Sequence, residues 1–307
     1  MADPAAHPHP SAASPLPPSP VGRGKGAAAG GGKGEGDGVR FAISAAARRF
    51  AFSTTPRLDA ELLMAHALGI TRETLLLGRM GDPVPPAFAV LVDRRAAHEP
   101  IAYITGRRAF WTIELAVGPG VLVPRPDSET LIEAAAAHFG DRAPACILDL
   151  GTGPGTLLLA ALDQWPGATG VGVDASTEAL VYAEANARSL GMADRARFRH
   201  GDWARDIAGP FDLILANPPY IGTGEALPDE VRAHEPAAAL FAGPDGLDDY
   251  RRIAPELPRL LAPGGIACVE TGATQAAAVA DLLAAQGLAT MVHHDLAGRD
   301  RCVTATP

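Results

Sequence analysis

Residues 146–155 read Cys-Ile-Leu-Asp-Leu-Gly-Thr-Gly-Pro-Gly, and TLLLAALDQW (156–165) follows at once. A short apolar run that stops at closely spaced glycines and resumes at helical period reads as strand, tight turn and helix. The pattern repeats downstream. GVGVD (170–174) is a strand and STEALVYAEANARSLG (176–191) a helix. FDLILA (211–216) is the next strand, and GGIACVE (264–270) follows the helix-like DDYRRIAPELPRLL (248–261). ATQAAAVADLLAAQG (273–287) is a further helix, before the strand-like ATMVHHDL (289–296) and RCVTAT (301–306). Alternation of this kind predicts an α/β fold with a mostly parallel sheet covered on both faces.

Upstream the period is different. Residues 39–98 read as helical. STTPRLDAELLMAHALG (53–69) opens on hydroxyl caps, has Pro56 at a helix start and stops at Gly69, with Leu58, Leu62 and 64–68 as its apolar stripe. Thr71 opens a second helix, and PPAFAVLVDRRAAHE (85–99) gives a third that ends before Pro100. In RRAFWTIELAVGPGVLVPRP (107–126), Ile113, Leu115 and Val117 alternate with other residues, 118–120 break the run and 121–123 resume it, a hairpin signal. The expected divisions are therefore a tail over 1–38, a helical domain over 39–106, a linking β-hairpin over 107–127 and the α/β domain over 128–307. The tail is Pro-, Ala-, Gly- and Ser-rich and has no aromatic residue, so it is expected to be disordered. A transit peptide is the rival reading, opposed by a single arginine, Arg23, and no amphipathic pattern.

Composition narrows the classes. The 307 residues suit one or two domains, 47 % are apolar and 20 % charged, and no apolar run approaches the ~20 residues that span a membrane. A net charge of −9 argues against a protein whose main task is gripping nucleic acid. Cys146, Cys268 and Cys302 lie in apolar, strand-like contexts without paired spacing, so buried free thiols in a reducing compartment are expected. The histidines show no metal-ligand spacing, and no metal is expected.

The glycine turn carries the first chemistry. Gly151, Thr152, Gly153, Pro154 and Gly155 stand where a backbone can approach a ligand, and Asp174 ends the next strand, where a carboxylate accepts from ribose hydroxyls. The loop is neither the Gly-x-Gly-x-x-Gly of dinucleotide binders nor a P-loop. Asp149, just before it, repels a phosphate and suits a cationic amino group. S-adenosyl-L-methionine, with a ribose, an adenine, an ammonium and no phosphate, fits this pattern best. In GDW (201–203), Asp202 can accept from the adenine amino edge and Trp203 can form a wall; plain core packing of Trp203 is the alternative.

The second chemistry is Asn217, Pro218, Pro219 and Tyr220, directly after FDLILA. Ligands of open α/β sheets sit beyond the carboxyl ends of the strands. The two prolines stiffen the turn and remove two N–H groups. The Asn217 side-chain oxygen and the Pro218 carbonyl can then accept from one planar –NH2 group, on which Tyr220 can stack. An amide nitrogen is a poor nucleophile, and two acceptors on its hydrogens raise its electron density and aim it. The methylated product cation is strongly acidic, so no strong general base is needed. The competing reading of these four residues is a structural turn.

On these motifs the chain resembles the HemK/PrmC-type release factor glutamine methyltransferases over roughly residues 40–307. PRLDAELLMAHALG is similar to that family's helical domain, EPIAYITGRRAFW and VLVPRPDSETLIE to its linker, and DLGTGPG, NPPYI, EPAAALFAGPDGL and ETGATQ to its catalytic domain. The resemblance implies a Rossmann-like class I fold dependent on S-adenosyl-L-methionine, and a cytoplasmic, monomeric enzyme with a substrate-recognising helical domain. Its implied substrate is the glutamine of the Gly-Gly-Gln loop of peptide chain release factors, methylated at the amide nitrogen, with no nucleic-acid substrate and no membrane. It implies cofactor contacts from 151–155, Asp174, Trp203 and Asn217, and substrate contacts along 217–220. Pro154 stands where the family usually has a small polar residue, and the tail has no counterpart. Arg125 and Glu129 could pair with each other or with the substrate loop. The competing functions are an adenine-N6 methyltransferase of DNA or RNA, which shares the Asn-Pro-Pro-Tyr cradle, and a cofactor-binding scaffold without catalysis.

Overall fold

A computed structural model describes residues 38–307. The expected disordered tail lies outside the described residues except for Gly38, which bridges Pro83. The described chain begins with helices Val39–Arg49, Pro56–Leu68, Arg72–Gly78, Ala87–Ala96 and Ile101–Thr105. They close on a core of Val39, Ile43, Phe50, Leu63, Met64 and Phe88, with other apolar residues around it. Pro56 opens its helix and Gly69 ends it in the left-handed region at φ 65°. Thr71 accepts a hydrogen bond from the backbone N–H of Thr74, as a cap should. Thr55 does not cap; its hydroxyl donates to Asp59 at 3.0 Å.

The apolar stripe of the second helix is only partly where periodicity put it: Met64 and Ala65 are buried and Ala67 and Leu68 pack against the core, but the first turns differ. Leu58 is exposed and Leu62 half-buried, whereas Asp59, Ala60, Glu61, Leu63 and Met64 are buried. The reason is charge pairing. Asp59 meets Arg95 at 2.9 Å, and Glu61 is shared by Arg57 at 2.9 Å and Arg72 at 2.8 Å. Paired carboxylates can be buried where lone ones cannot.

The hairpin also differs from the expectation. Strand β1 (Arg107–Phe110) pairs antiparallel with β2 (Ile113–Ala116), and the turn is at Trp111-Thr112, upstream of the glycines. Residues 121–123 form no strand. Side chains satisfy their backbone instead: Tyr103 donates to the Val121 carbonyl, and the Val123 N–H donates to Glu235 at 3.1 Å.

The remaining strands are β3 (Cys146–Leu150), β4 (Thr169–Asp174), β5 (Ala196–His200), β6 (Phe211–Ala216), β7 (Leu261–Glu270), β8 (Ala289–His294) and β9 (Asp300–Thr306). They form one sheet in the order β5-β4-β3-β6-β7-β9-β8. The first five in that order run parallel, and β9 is antiparallel to both its neighbours. Apolar cores cover both faces. Cys268 and Cys302 are buried, but Cys146 is exposed, because it opens β3 at the sheet end away from the glycine turn. The stretch read as one helix over 248–261 is split into Asp248–Ile253, a 3-10 turn Ala254–Glu256 and Leu257–Leu260, with Pro255 and Pro258 at the breaks. Among the described residues no helix is long and apolar enough to cross a membrane.

The sheet order positions the site. It reverses at β3, whose two neighbours are β4 and β6. Leu150 is in register with Ala216, so the residues that follow each of them, Gly151 and Asn217, emerge side by side at the carboxyl ends.

Candidate active site

Gly151 leaves β3 with φ 73°, and a Cβ there would meet the Trp203 ring at 3.0 Å. Only glycine keeps this turn and its clearance. The Gly151 and Thr152 N–H groups both donate to the Val173 carbonyl, at 2.8 and 3.0 Å, which fastens the turn to β4. Pro154 is buried and its carbonyl accepts from Asn186 at 2.9 Å, so the unusual residue is held inside the loop. Gly155 stands behind the loop as the N-cap of helix Thr156–Gln164 and does not line the cavity that the loop borders.

That cavity is about 450 Å³ and is lined by 151–154, Asp174, Asp202, Trp203, Asn217 and Pro219 among others. Asp149 lies in its wall, almost fully buried. Its Oδ2 accepts from the Thr152 hydroxyl at 2.6 Å and the Leu158 N–H at 3.2 Å, while its Oδ1 has no partner. Burial pushes the Asp149 carboxyl up to about 7, against the lowering influence of those two donors. Asp174 accepts from the Gly153 and Ser176 N–H groups, each at 2.8 Å, and so faces the cavity in a fixed orientation. Trp203, at φ 49°, donates its indole N–H to Asp249 at 3.0 Å. Asp202 is ion-paired with Arg252 at the cavity rim.

Beyond Asn217 lies a second cavity of about 160 Å³, whose wall includes Leu122, Arg125, Asn217, Tyr220 and Glu270. Asn217 belongs to both walls, as do Leu122, Arg125 and Ala239. Its side-chain N–H donates to the Ser128 hydroxyl at 3.3 Å. Pro218 is buried, and no donor among the described residues reaches its carbonyl. Tyr220 is half-buried, and desolvation followed by the nearby Glu270 pushes its hydroxyl up to about 12. Glu270, at the end of β7, is buried with its Oε2 unpartnered. Burial raises it to about 7, and the Ser128 hydroxyl is the main influence lowering it.

Arg125 and Glu129 do not pair with each other. Arg125 is ion-paired with Glu235, and Glu129 accepts from the Trp111 N–H at 2.8 Å. Sequence reasoning also left Ser128, Asp249, Arg252 and Glu270 out of the site. Glu270 had a signal: like Asp174 it is an acid that ends an apolar strand run. Ser128, Asp249 and Arg252 had none, since only the folded chain brings them to the cavity walls.

The chemistry of the larger cavity suits a nucleoside that carries a cation. It has an open buried carboxyl oxygen at Asp149, a fixed carboxylate at Asp174, an aromatic wall and backbone free to approach. This fold and site define a methyltransferase: residues 144–301 match the family described as a methyltransferase domain. In fold alone, the chain resembles the crystal structure of the hMettl16 catalytic domain in complex with MAT2A 3'UTR hairpin 6. That likeness has a TM-score of 0.51 at 14 % identity, and covers 62 % of this chain and 75 % of that one.

Within that class the chain belongs to the release factor glutamine methyltransferase family. Residues 42–106 match the family described as the PrmC N-terminal domain. The chain is 46 % identical to the release factor glutamine methyltransferase of Rhodospirillum rubrum, over 81 % of this chain and 78 % of that protein. It is 44 % identical to that of Caulobacter vibrioides, over 81 % of this chain and 88 % of the relative.

Proposed function

We propose that this protein transfers a methyl group from S-adenosyl-L-methionine to the side-chain amide nitrogen of the glutamine in the Gly-Gly-Gln loop of peptide chain release factors. The observation that carries the reading is the pair of cavities meeting at Asn217, within a chain that belongs to this family. The larger holds the cofactor and the smaller the glutamine side chain. When bound, the cofactor supplies an electrophilic methyl group on a sulfonium.

The chain's own residues do the rest. Asp149 takes the ammonium of the cofactor through its open Oδ1, and Asp174 takes the ribose hydroxyls. Residues 151–155 form the turn that lets the backbone approach. Trp203 walls the adenine, and Asp202 reaches its edge with the lone pairs that Arg252 leaves free. On the other side, the Asn217 Oδ1 and the Pro218 carbonyl accept the two hydrogens of the glutamine amide. This draws density onto the nitrogen and aims its lone pair towards the larger cavity. Pro219 stiffens the turn and Tyr220 covers the amide plane. The methylated amide nitrogen is acidic enough to release its proton to water.

We assign residues 39–106 to substrate recognition, 107–127 to the link and 128–307 to cofactor binding and methyl transfer. On this reading the enzyme acts as a cytoplasmic monomer on a protein acceptor, and no nucleic acid is methylated. The test is incubation with methyl-labelled cofactor and three acceptors: a release factor, the same factor with its Gly-Gly-Gln glutamine replaced by alanine, and a DNA or tRNA pool. Label in the first alone is expected. Label in the nucleic-acid pool, or equal label in both factors, overturns the reading.

A further inference from the structure

Asn217 has a carboxamide, and a carboxamide has two ends. Only its oxygen end can accept from an amide –NH2; turned over, it would present N–H groups to N–H groups. Ser128 supplies part of the answer to what holds it, because its hydroxyl accepts from the Asn217 Nδ2 at 3.3 Å. A serine hydroxyl is itself ambiguous, since it donates or accepts as it rotates. Ser128 is buried, and its hydroxyl is the main influence that lowers the Glu270 carboxyl. Glu270 is buried, leaves Oε2 unpartnered and lines the smaller cavity together with Asn217. An ionised carboxylate only accepts, so wherever it meets the Ser128 hydroxyl it commits that hydrogen to itself. The Ser128 lone pairs are then left for the Asn217 amide. Arg301, Asp127 and Arg125 are the charged groups facing this carboxyl, with Tyr220 and Tyr250 beside it.

We propose that Ser128 and Glu270 are positioning residues for Asn217: hydrogen bonds run one way, from the Asn217 amide to the Ser128 hydroxyl and from that hydroxyl to the Glu270 carboxylate, and so turn the Asn217 oxygen towards the acceptor. The inference rests on the reading of the smaller cavity as the glutamine site. It gives a role to the serine of the PRPDSE stretch and to the glutamate that ends β7, which the cofactor and cradle contacts leave unexplained.

Three measurements test it. Ser128 also lines the larger cavity, so in single-turnover methylation at saturating cofactor Ser128→Ala should lower the rate at least 10-fold, with cofactor affinity falling far less than the rate and with Ser128→Thr restoring most of the loss. Added to Asn217→Ala, the same substitution should lower the rate less than 2-fold further, because it acts through Asn217. Full additivity in this cycle, the signature of a general structural role, overturns the proposal.

The second measurement reverses the polarity and keeps Ser128, so it decides the matter even if Ser128→Ala does not fold. Asn217→Asp alone should be nearly inactive, since its carboxylate and Glu270 both demand the one serine hydrogen. Combined with Glu270→Gln, whose amide donates to Ser128 so that Ser128 donates to the new carboxylate, it should recover at least 10-fold. No recovery overturns the proposal.

The third measurement needs no acceptor, which separates failure of this inference from failure of the proposed function. The Asn217 side-chain 15N–1H resonances should shift as pH crosses the Glu270 titration. That shift should vanish in Glu270→Gln, which identifies its source, and in Ser128→Ala, which identifies its route. A shift that persists in Ser128→Ala overturns the relay, whatever the wild type methylates.

Discussion

Replacing Asp149 by asparagine should stabilise the cofactor-free protein and weaken cofactor binding at the same time. In Asp149→Asn the side-chain oxygen can keep both donors of Oδ2, the Thr152 hydroxyl at 2.6 Å and the Leu158 N–H at 3.2 Å. The amide group then takes the place of Oδ1, which has no partner. Burial lifts the Asp149 carboxyl from 3.8 to about 7. At 1.36 kcal/mol per pH unit, holding this group ionised in the fold costs up to about 4 kcal/mol at pH 8. The sign follows from proton binding. Between those two values the folded state binds the proton more tightly than the unfolded chain, so this contribution to stability is complete below 3.8 and lost as pH rises through about 7. The asparagine variant has no such loss. Its denaturation midpoint should match the wild type below pH 4 and exceed it increasingly up to pH 8, in urea titrations without cofactor. Binding should move the other way: losing a charge-assisted hydrogen bond to the ammonium is worth about 1.5–3 kcal/mol, or roughly 10- to 150-fold in Kd by calorimetry at pH 8. A variant less stable than wild type at pH 8, or one of unchanged affinity, refutes the reasoning about a buried, cation-seeking carboxylate.

Other outcomes are expected. Asp174→Ala should weaken cofactor binding by a similar 1.5–3 kcal/mol, and should also loosen the glycine turn, since it removes the acceptor of the Gly153 N–H; calorimetry checks the first and amide exchange at Gly153 the second. Asn217→Ala should slow single-turnover methylation about 10²–10³-fold, with cofactor affinity falling far less than the rate. Gly172→Ala places a Cβ 2.7 Å from the Thr152 hydroxyl oxygen and 2.9 Å from the Phe198 ring, so it should destabilise the protein by about 1–3 kcal/mol and weaken cofactor binding through Asp149; an unchanged melting temperature would contradict this. Arg95→Ala should destabilise by about 3–5 kcal/mol, because it strands the buried Asp59 and also frees Glu230; thermal unfolding measures it, and a loss below 1 kcal/mol would show that Asp59 finds another partner.

Much of this protein is legible residue by residue. The strand–turn–helix at 146–165, the strand-end Asp174 and the proline-stiffened turn at 217–220 follow from period, φ preference and missing donors, which are properties of a few neighbouring residues. The alternation of elements then implies a largely parallel sheet. What local pattern could not supply is the order of the strands. Nothing near Gly151 says that Asn217 will be its neighbour; the pairing of β3 with β6 brings them together and creates two cavities with one shared wall. Buried charge is the other case. Periodicity puts Leu58 in the apolar stripe, and the fold exposes it and buries Asp59 and Glu61 instead, because Arg95 and Arg72 arrive from later in the chain to neutralise the two acids. Arg125, Glu129, Ser128 and Glu270 follow the same rule. A side chain's chemistry is written at its own position, but the partner that fixes its charge, direction and role arrives from elsewhere in the chain, and only the packed sheet decides which partner that is.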